Sequence, residues 1–428
     1  MRRIPATGIN LFQLIYLLVR EYEEKSGRSA LNLSLGNPDT VPDAPIRELQ
    51  ARFAKDPGFD YHTYAEERNL NRFAEGMVEI HGKLRYWEHP HLRAVPTAGI
   101  KTATALVPLA CGLHLPQTRR ASFRIASNLP AYDVVGTWAS DYLGVERVVW
   151  PLASEENMRP SLPRLEAALA SAGTDRVDLV FVIRPGNPAA VGASRDDWKR
   201  LIEHCLKHGT RLVNDAAYCG LAGEDHVPLA AVAKDYPDLE WMELYSVSKS
   251  FSDPGARLGA AVGSKDFIED YILVKGNTES GPVPSVMAAY GEFFKDRAAT
   301  MASLDKLRAL YQRRLEYVIP RLERAGLRPA CRTEAGFFTL WQAPGRVFGK
   351  DPRAAFPGLP PHEALNRLII AETGIAGVHF LTPPVNGRQE PLLRYAVCAD
   401  VLDPEFQRRF EEGLSRLKPD YAPLEAAA

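Results

Sequence analysis

Leu244-Tyr-Ser-Val-Ser-Lys-Ser-Phe-Ser-Asp-Pro-Gly-Ala-Arg-Leu-Gly259 is an apolar run that ends in hydroxyls, a lysine, a glycine and an arginine. Lys249 and Arg257 stand eight residues apart in one loop. An amine at a strand end can form a Schiff base with a carbonyl compound. A guanidinium, with the hydroxyls of Ser246 and Ser248 or Ser250, can hold a phosphate by charge-assisted hydrogen bonds. The loop therefore suits a phosphorylated carbonyl compound, whereas an isolated Ser-x-Ser-Lys would be an ordinary surface loop. The segments on either side decide between the two.

Outward from this loop, residues 99 to 275 alternate short β-branched runs with stretches of helical periodicity, the pattern of a parallel sheet covered by helices. Strands are expected at Phe123–Ser127, Arg147–Leu152, Val177–Ile183, Arg211–Asn214, Met242–Val247 and Leu258–Val262. Helices are expected at Ile100–Leu113, Tyr132–Leu143, Leu162–Ser171 and Arg195–His208, the last with Ser194 as N-cap and Gly209 as stop. After Pro284 a long charged helical stretch runs to about Ala325, with Lys306, Arg308, Arg313, Arg314 and Glu316 expected on its wet face. Short strands (Phe337–Trp341, Leu392–Cys398) and helices (His362–Thr373, Pro404–Leu417) then follow in an α+β manner. The expectation is a large α/β domain over residues 40–290, with residues 1–39 and 291–428 forming a smaller α+β domain.

Composition narrows the function. Of 428 residues, 52 are Lys or Arg and 53 Asp or Glu, a formal charge of −1 that gives no attraction to nucleic acid or an anionic membrane. The five cysteines are odd in number and lack C-x-x-C spacing, which fits a reducing cytoplasm rather than a disulfide framework or a zinc knuckle. No stretch has the roughly 20 apolar residues of a membrane span, and Glu21, Glu23 and Glu24 stand where a signal-peptide cleavage site would be. The chain has no G-x-G-x-x-G after a strand and no Walker A loop. His204 and His208, four apart on a helix, and the His89-Pro90-His91 loop have no third ligand nearby, so no metal site is expected.

Ser-Val-Ser-Lys-Ser-Phe followed by Gly-Ala-Arg-Leu-Gly resembles the cofactor-lysine signature of the class I/II aminotransferases, pyridoxal-phosphate enzymes of fold type I. Five further segments match in order, and the similarity covers about residues 30 to 400. The resemblance implies that Lys249 carries pyridoxal 5′-phosphate as an imine and then moves a proton from the substrate Cα to the cofactor C4′. Asp215 and Tyr218, in Val213-Asn-Asp-Ala-Ala-Tyr218, would partner the pyridine nitrogen and the phenolic oxygen. Asn187, in Arg184-Pro-Gly-Asn-Pro-Ala-Ala-Val-Gly192, would donate to the same oxygen, although the family's glycine three residues after this asparagine is displaced here to Gly192.

By the same resemblance Gly99, Ile100 and Lys101, just before an alanine-rich helix, would cradle the cofactor phosphate together with Ser246, Ser248 and Arg257. Tyr132 would stack on the cofactor ring. Tyr64, in Asp60-Tyr-His-Thr-Tyr64, would reach the phosphate of a neighbouring subunit, which implies a homodimer with shared sites. Arg394, in Leu392-Leu-Arg-Tyr-Ala396, would clamp the substrate α-carboxylate, with Gly36 of Leu35-Gly-Asn-Pro38 close by.

The function expected is transfer of an amino group between an amino acid and a 2-oxo acid. The motifs leave open a lyase, or an amino-acid oxidase or hydroxylase, on the same cofactor, and also a catalytically silent binding protein. Two further segments bear on the pocket. His379 and Phe380, in an atypical loop from Gly374 to Pro384, either touch substrate or plug the interdomain cleft. The N-terminal amphipathic segment, with Ile9, Leu11, Phe12, Ile15, Leu18 and Val19, either closes over the site or docks as a core helix.

Overall fold

The run Leu179-Val-Phe-Val-Ile183 is wholly buried, because the sheet it belongs to is covered on both faces. In the computed structural model, which describes residues 11–115, 123–132, 134–385 and 387–422, it is a central strand of a seven-stranded sheet. Ile9 and the C-terminal alanines lie outside the described residues. The spatial order is Leu92–Thr97, Gly259–Ser264, Trp241–Ser246, Arg211–Asp215, Leu179–Ile183, Arg124–Leu129 and Glu146–Pro151. Only Gly259–Ser264 runs against the others.

Alternation along the strands builds two cores. Val180, Val182, Leu212, Trp241 and Tyr245 face one side, packed with Trp198 and Ile202 of the helix Arg195–His208 and with Phe293 and Phe294. Leu179, Phe181, Ile183, Val213, Met242 and Leu244 face the other, against the helix Ile100–Ala110 and Phe267, Ile268 and Tyr271. The helix Arg195–His208 has the expected ends. The Ser194 hydroxyl accepts from the Asp197 amide at 3.2 Å, the Asp197 carboxylate accepts from the Ser194 amide at 2.9 Å, and Gly209 closes the helix at φ +61°.

A second, antiparallel sheet has the order Val378–Leu381, Pro391–Ala396, Phe338–Gln342, Arg328–Pro329. Trp341, Leu393 and Tyr395 pack with Leu365, Phe410 and Leu414 of the helices Pro361–Thr373 and Pro404–Leu417. The chain before residue 40 joins this body. Leu31–Asn32 pairs in parallel with Ile375–Ala376, and Ile15, Leu18 and Val19 of the helix Leu11–Ser26 pack on Ile370, Ala376 and Val378.

Three expectations need correction. The stretch after Pro284 is two helices, Pro284–Lys295 and Arg297–Arg324, because the Asp296 side chain accepts from the Ala299 amide and caps a new start. Of the helix expected at Tyr132–Leu143, the described part begins at Val134 and widens into a π turn over Trp138–Tyr142. Arg314 does not face water. Only 4% exposed, it makes paired 2.8 Å hydrogen bonds to both Asp39 carboxylate oxygens and bonds the carbonyls of Val397 and Cys398 at 3.2 and 3.0 Å.

Arg314 thus fastens the long helix to the N-terminal segment and to the chain after Pro391–Ala396. Arg314→Ala strands two buried carbonyls and the Asp39 carboxylate. Asp39 keeps 31% of its side chain in water, so the cost falls below that of a fully buried pair, at about 2–4 kcal/mol. A lowered denaturation midpoint in urea measures it, and an unchanged midpoint contradicts the fastening role.

Candidate active site

The expected site residues converge beyond the carboxyl ends of the parallel strands, where open α/β sheets bind ligands. The strand Leu92–Thr97 leads to Gly99, Arg124–Leu129 to Tyr132, Leu179–Ile183 to Asn187, Arg211–Asp215 ends on Asp215, and Trp241–Ser246 leads to Lys249. Arg257 reaches the same edge because it precedes the one strand that runs the opposite way. The cleft they line has a volume of about 350 Å³, and its charged lining residues are Lys101, Lys249, Arg257 and Arg394 against the single carboxylate of Asp215.

Lys249 lies on a one-turn helix, Val247–Ser250, whose first amides are met by the Ser246 hydroxyl accepting from Ser248 N at 3.1 Å. Its Nζ donates to the Gly36 carbonyl at 2.8 Å and lies 5.9 Å from the Phe337 ring centre. Burial lowers the amine's pKa, and the nearby Arg394 and Arg257 push it the same way against the opposing effect of Cys398. Of the three serines, Ser246 and Ser248 line the cleft, whereas Ser250 packs against Gly220.

Asp215 is buried, and its described hydrogen bond is from the Ala217 amide at 3.0 Å. Burial raises its pKa to about 6, only partly offset by that bond. A carboxylate so little satisfied calls for a cationic partner at the cleft floor. At the opposite end, the helix Ile100–Ala110 begins without a side-chain cap. Gly99 holds φ +85°, and a Cβ there would stand 2.8 Å from Arg257 Nη2, so the glycine lets the guanidinium and the free helix amides share one recess. Arg257 itself adopts φ +48° and donates to the Pro254 carbonyl at 3.1 Å. Uncapped amides beside a guanidinium fit a phosphate, and a buried carboxylate fits a protonated ring nitrogen.

Arg394 is the central residue of its strand, opposite Leu340 on one side and Val378 on the other. It is 1% exposed. Nη1 donates to Asn187 Oδ1 at 2.8 Å, Nη2 to the Ser34 carbonyl at 2.5 Å, and Nε has no partner among the described residues. The guanidinium lies 4.4 Å from the Phe338 ring centre and forms no ion pair among the described residues; burial lowers its pKa to about 10.

Tyr218 is buried with its ring edge-on to Phe337 and Phe338 at 5.6 and 5.4 Å, and burial raises the pKa of its hydroxyl. The Tyr132 amide donates to the Asn187 carbonyl at 2.7 Å, and Lys101 Nζ lies 6.0 Å from the Tyr132 ring centre. Gly36 admits the chain close to Phe338, since a Cβ there would meet that ring at 2.6 Å.

Tyr64 is not in this chain's own cleft; it is 72% exposed. His379 is not a lining residue either. It is buried beside Asn366, whose amide nitrogen is 3.3 Å from Nδ1. The sequence reading left two aromatic residues without a settled place. Phe12 projects from the N-terminal helix to 6.4 Å from Tyr132 and 5.7 Å from Arg394. That helix therefore both packs and covers the site. Phe338 went unremarked, and the doubled phenylalanine at 337–338 was its one visible signal.

Comparison with known proteins agrees with this geometry. A family model described as aminotransferase class I and II matches residues 119–407. LL-diaminopimelate aminotransferase of Syntrophobacter fumaroxidans is 28% identical over 95% of this chain and 96% of its own length. The protein of the same name from Nitratidesulfovibrio vulgaris is 25% identical over 91% of each. Among solved structures, a double mutant of Thermus thermophilus aspartate aminotransferase superposes with a TM-score of 0.74 at 19% identity, over 97% of this chain and 99% of that one. A Staphylococcus aureus aminotransferase gives 0.69 at 18%, over 91% and 93%. These likenesses show the fold type I architecture. With more than half of its length matched by the family model, the chain belongs to the class I and II aminotransferases, the pyridoxal-phosphate-dependent enzymes of that fold.

Proposed function

We propose that this aminotransferase works from the cleft around Lys249, moving an amino group between an amino acid and a 2-oxo acid with pyridoxal 5′-phosphate held by the residues that line it. The observation that carries the reading is one cleft lined by a half-buried lysine amine, a buried, under-satisfied carboxylate and a buried guanidinium without an ion-pair partner among the described residues. The amides after Gly99, including those of Ile100 and Lys101, would hold the phosphate with Ser246, Ser248 and Arg257. Tyr132 would lie against the ring, Asp215 would meet its nitrogen, and Asn187 and Tyr218 its phenolic oxygen. When bound, the cofactor supplies an aldehyde that condenses with primary amines and a pyridine ring that accepts the electron pair left at the substrate Cα.

The chain's own residues do the rest. Lys249 Nζ, desolvated so that more of it is free base at neutral pH, takes the proton from the substrate Cα. The Gly36 carbonyl holds that nitrogen in place. Asp215 would face the ring nitrogen as a carboxylate, each charge favouring the other. Arg394 orients the substrate through its α-carboxylate. Two of its nitrogens are anchored by Asn187 and Ser34, which leaves the remaining N–H groups for the ligand. Phe12 and Phe338 exclude water around that pair.

We further assign residues 40–290 to the large domain, and 1–39 with 291–428 to the small one. The separate cores of the two sheets support a two-domain division, although Phe293, Phe294 and Leu304 pack in the core of the large sheet. Tyr64 is assigned to the cleft of a second subunit in a homodimer, a role supported by the 72% exposure of this large aromatic side chain outside its own cleft. A cytoplasmic location is supported by five unpaired cysteines, and no described helix is long and apolar enough to cross a membrane.

Three measurements test this. Lys249→Ala is expected to lower turnover by at least about a thousandfold with the circular dichroism of the wild type; borohydride then fixes no cofactor on the chain, and retained activity refutes the assignment. Arg394→Lys loses the fork and is expected to cut kcat/KM for amino acids by about tenfold to a hundredfold, the worth of one charged hydrogen bond; an equal value for both proteins overturns the clamp. The third concerns the cofactor-free protein. The stability that protonated Asp215 lends the fold is complete below its ordinary pKa of 3.8 and is lost as pH rises through about 6. Cofactor-free Asp215→Asn is therefore expected to outlast the cofactor-free wild type by about 2–3 kcal/mol in urea at pH 8, with the gap about halved at pH 5 and closing toward pH 4. A gap independent of pH contradicts the buried charge.

A further inference from the structure

The cleft does not end at Arg394. It opens into an outer compartment of about 520 Å³ that shares Phe12, Lys101, Tyr132 and Asn187 with the inner one. Five aromatic rings line the outer space: Phe12, Tyr132, Trp138, Tyr142 and Phe380. Phe12 meets Tyr132 edge-on at 6.4 Å, and the π turn stacks Trp138 on Tyr142 at 5.2 Å. The Phe12 and Phe380 ring centres both lie within 6 Å of the Arg394 guanidinium, at 5.7 and 5.8 Å. No carboxylate lines the outer compartment among the described residues, and its one charged group is Lys101.

We propose that the amino donor of this enzyme carries a bulky aromatic side chain, which lies among the rings of the outer compartment. The inference rests on the assignment of Arg394 to the α-carboxylate made above. A carboxylate on Arg394 puts the substrate Cα beside Phe12 and Phe380, so the side chain leaves directly into the aromatic lining. Edge-to-face and offset contacts with these rings reward a flat apolar group. A distal ammonium, such as that of a diamino acid, meets the like charge of Lys101 there. A distal carboxylate finds a single lysine, already over the Tyr132 ring, where a guanidinium would be needed for a two-bond clamp. The aromatic lining therefore favours a ring over the charged far end of LL-diaminopimelate, the compound in the names of the relatives above.

The test uses the holoenzyme and follows the bound cofactor's spectrum as amino acids are added one at a time: phenylalanine, alanine, aspartate and LL-diaminopimelate. Phenylalanine is expected to be converted with a kcat/KM at least about tenfold above each of the others, a ratio within reach of an apolar pocket. Phe380→Ala is expected to lower the phenylalanine-to-alanine ratio severalfold. Preference for aspartate or LL-diaminopimelate, or a ratio that Phe380→Ala leaves unmoved, overturns the aromatic donor while the roles of Lys249 and Arg394 stand. No spectral change with any amino acid brings down both this inference and the reading it rests on.

Discussion

A guanidinium buried without a carboxylate is a constraint that the rest of the molecule is arranged around. Arg394 sits in the middle of the small antiparallel sheet, yet its hydrogen bonds go to Asn187, beyond the large sheet, and to Ser34, in the N-terminal segment. Three distant parts of the chain are thereby held to one side chain. Desolvating that charge costs several kcal/mol, and neutral acceptors recover only a part of it. A fold that tolerates this keeps an anion-shaped deficit at the place where a substrate carboxylate would offset it.

The same logic of incomplete satisfaction runs through the cleft. Asp215 accepts one backbone hydrogen bond where a surface carboxylate would have several, and its raised pKa records the shortfall. Lys249 is desolvated in the presence of two guanidinium groups, so its proton is held loosely. Glu243, equally buried, accepts from Asn214, Tyr245 and the amides of Leu229 and Ala230. The contrast separates a carboxylate whose partners are all built in from one that the proposed cofactor would complete.

How much of this was legible in the sequence followed from how local each cause is. Leu162–Ser171, Arg195–His208 and Pro404–Leu417 were readable to the residue because their ends are set by a serine, an aspartate, a proline or a glycine next to the apolar pattern. Lys249, Asp215, Arg257 and Arg394 were readable because their neighbours in sequence carry the family's signature. Arg314 was misread because its partner, Asp39, is 275 residues away, and no helical periodicity can announce an ion pair at that distance. The strand Val378–Leu381 was missed because its four residues are flanked by glycine and proline. That strand turns His379 inward and Phe380 outward, so an alternation of sides, invisible without the strand, decided which of the two could face a substrate.

Ser34 and Gly36 are two residues apart in an extended segment, and their carbonyls accept from Arg394 and Lys249 respectively. A few ångströms of main chain therefore act as a gauge between the Arg394 guanidinium and the Lys249 amine. Bulk added at position 36 would press on Phe338 and alter both ends at once. Tolerances in this enzyme are set by peptide geometry, whose bond lengths do not drift, rather than by long side chains, whose rotamers do.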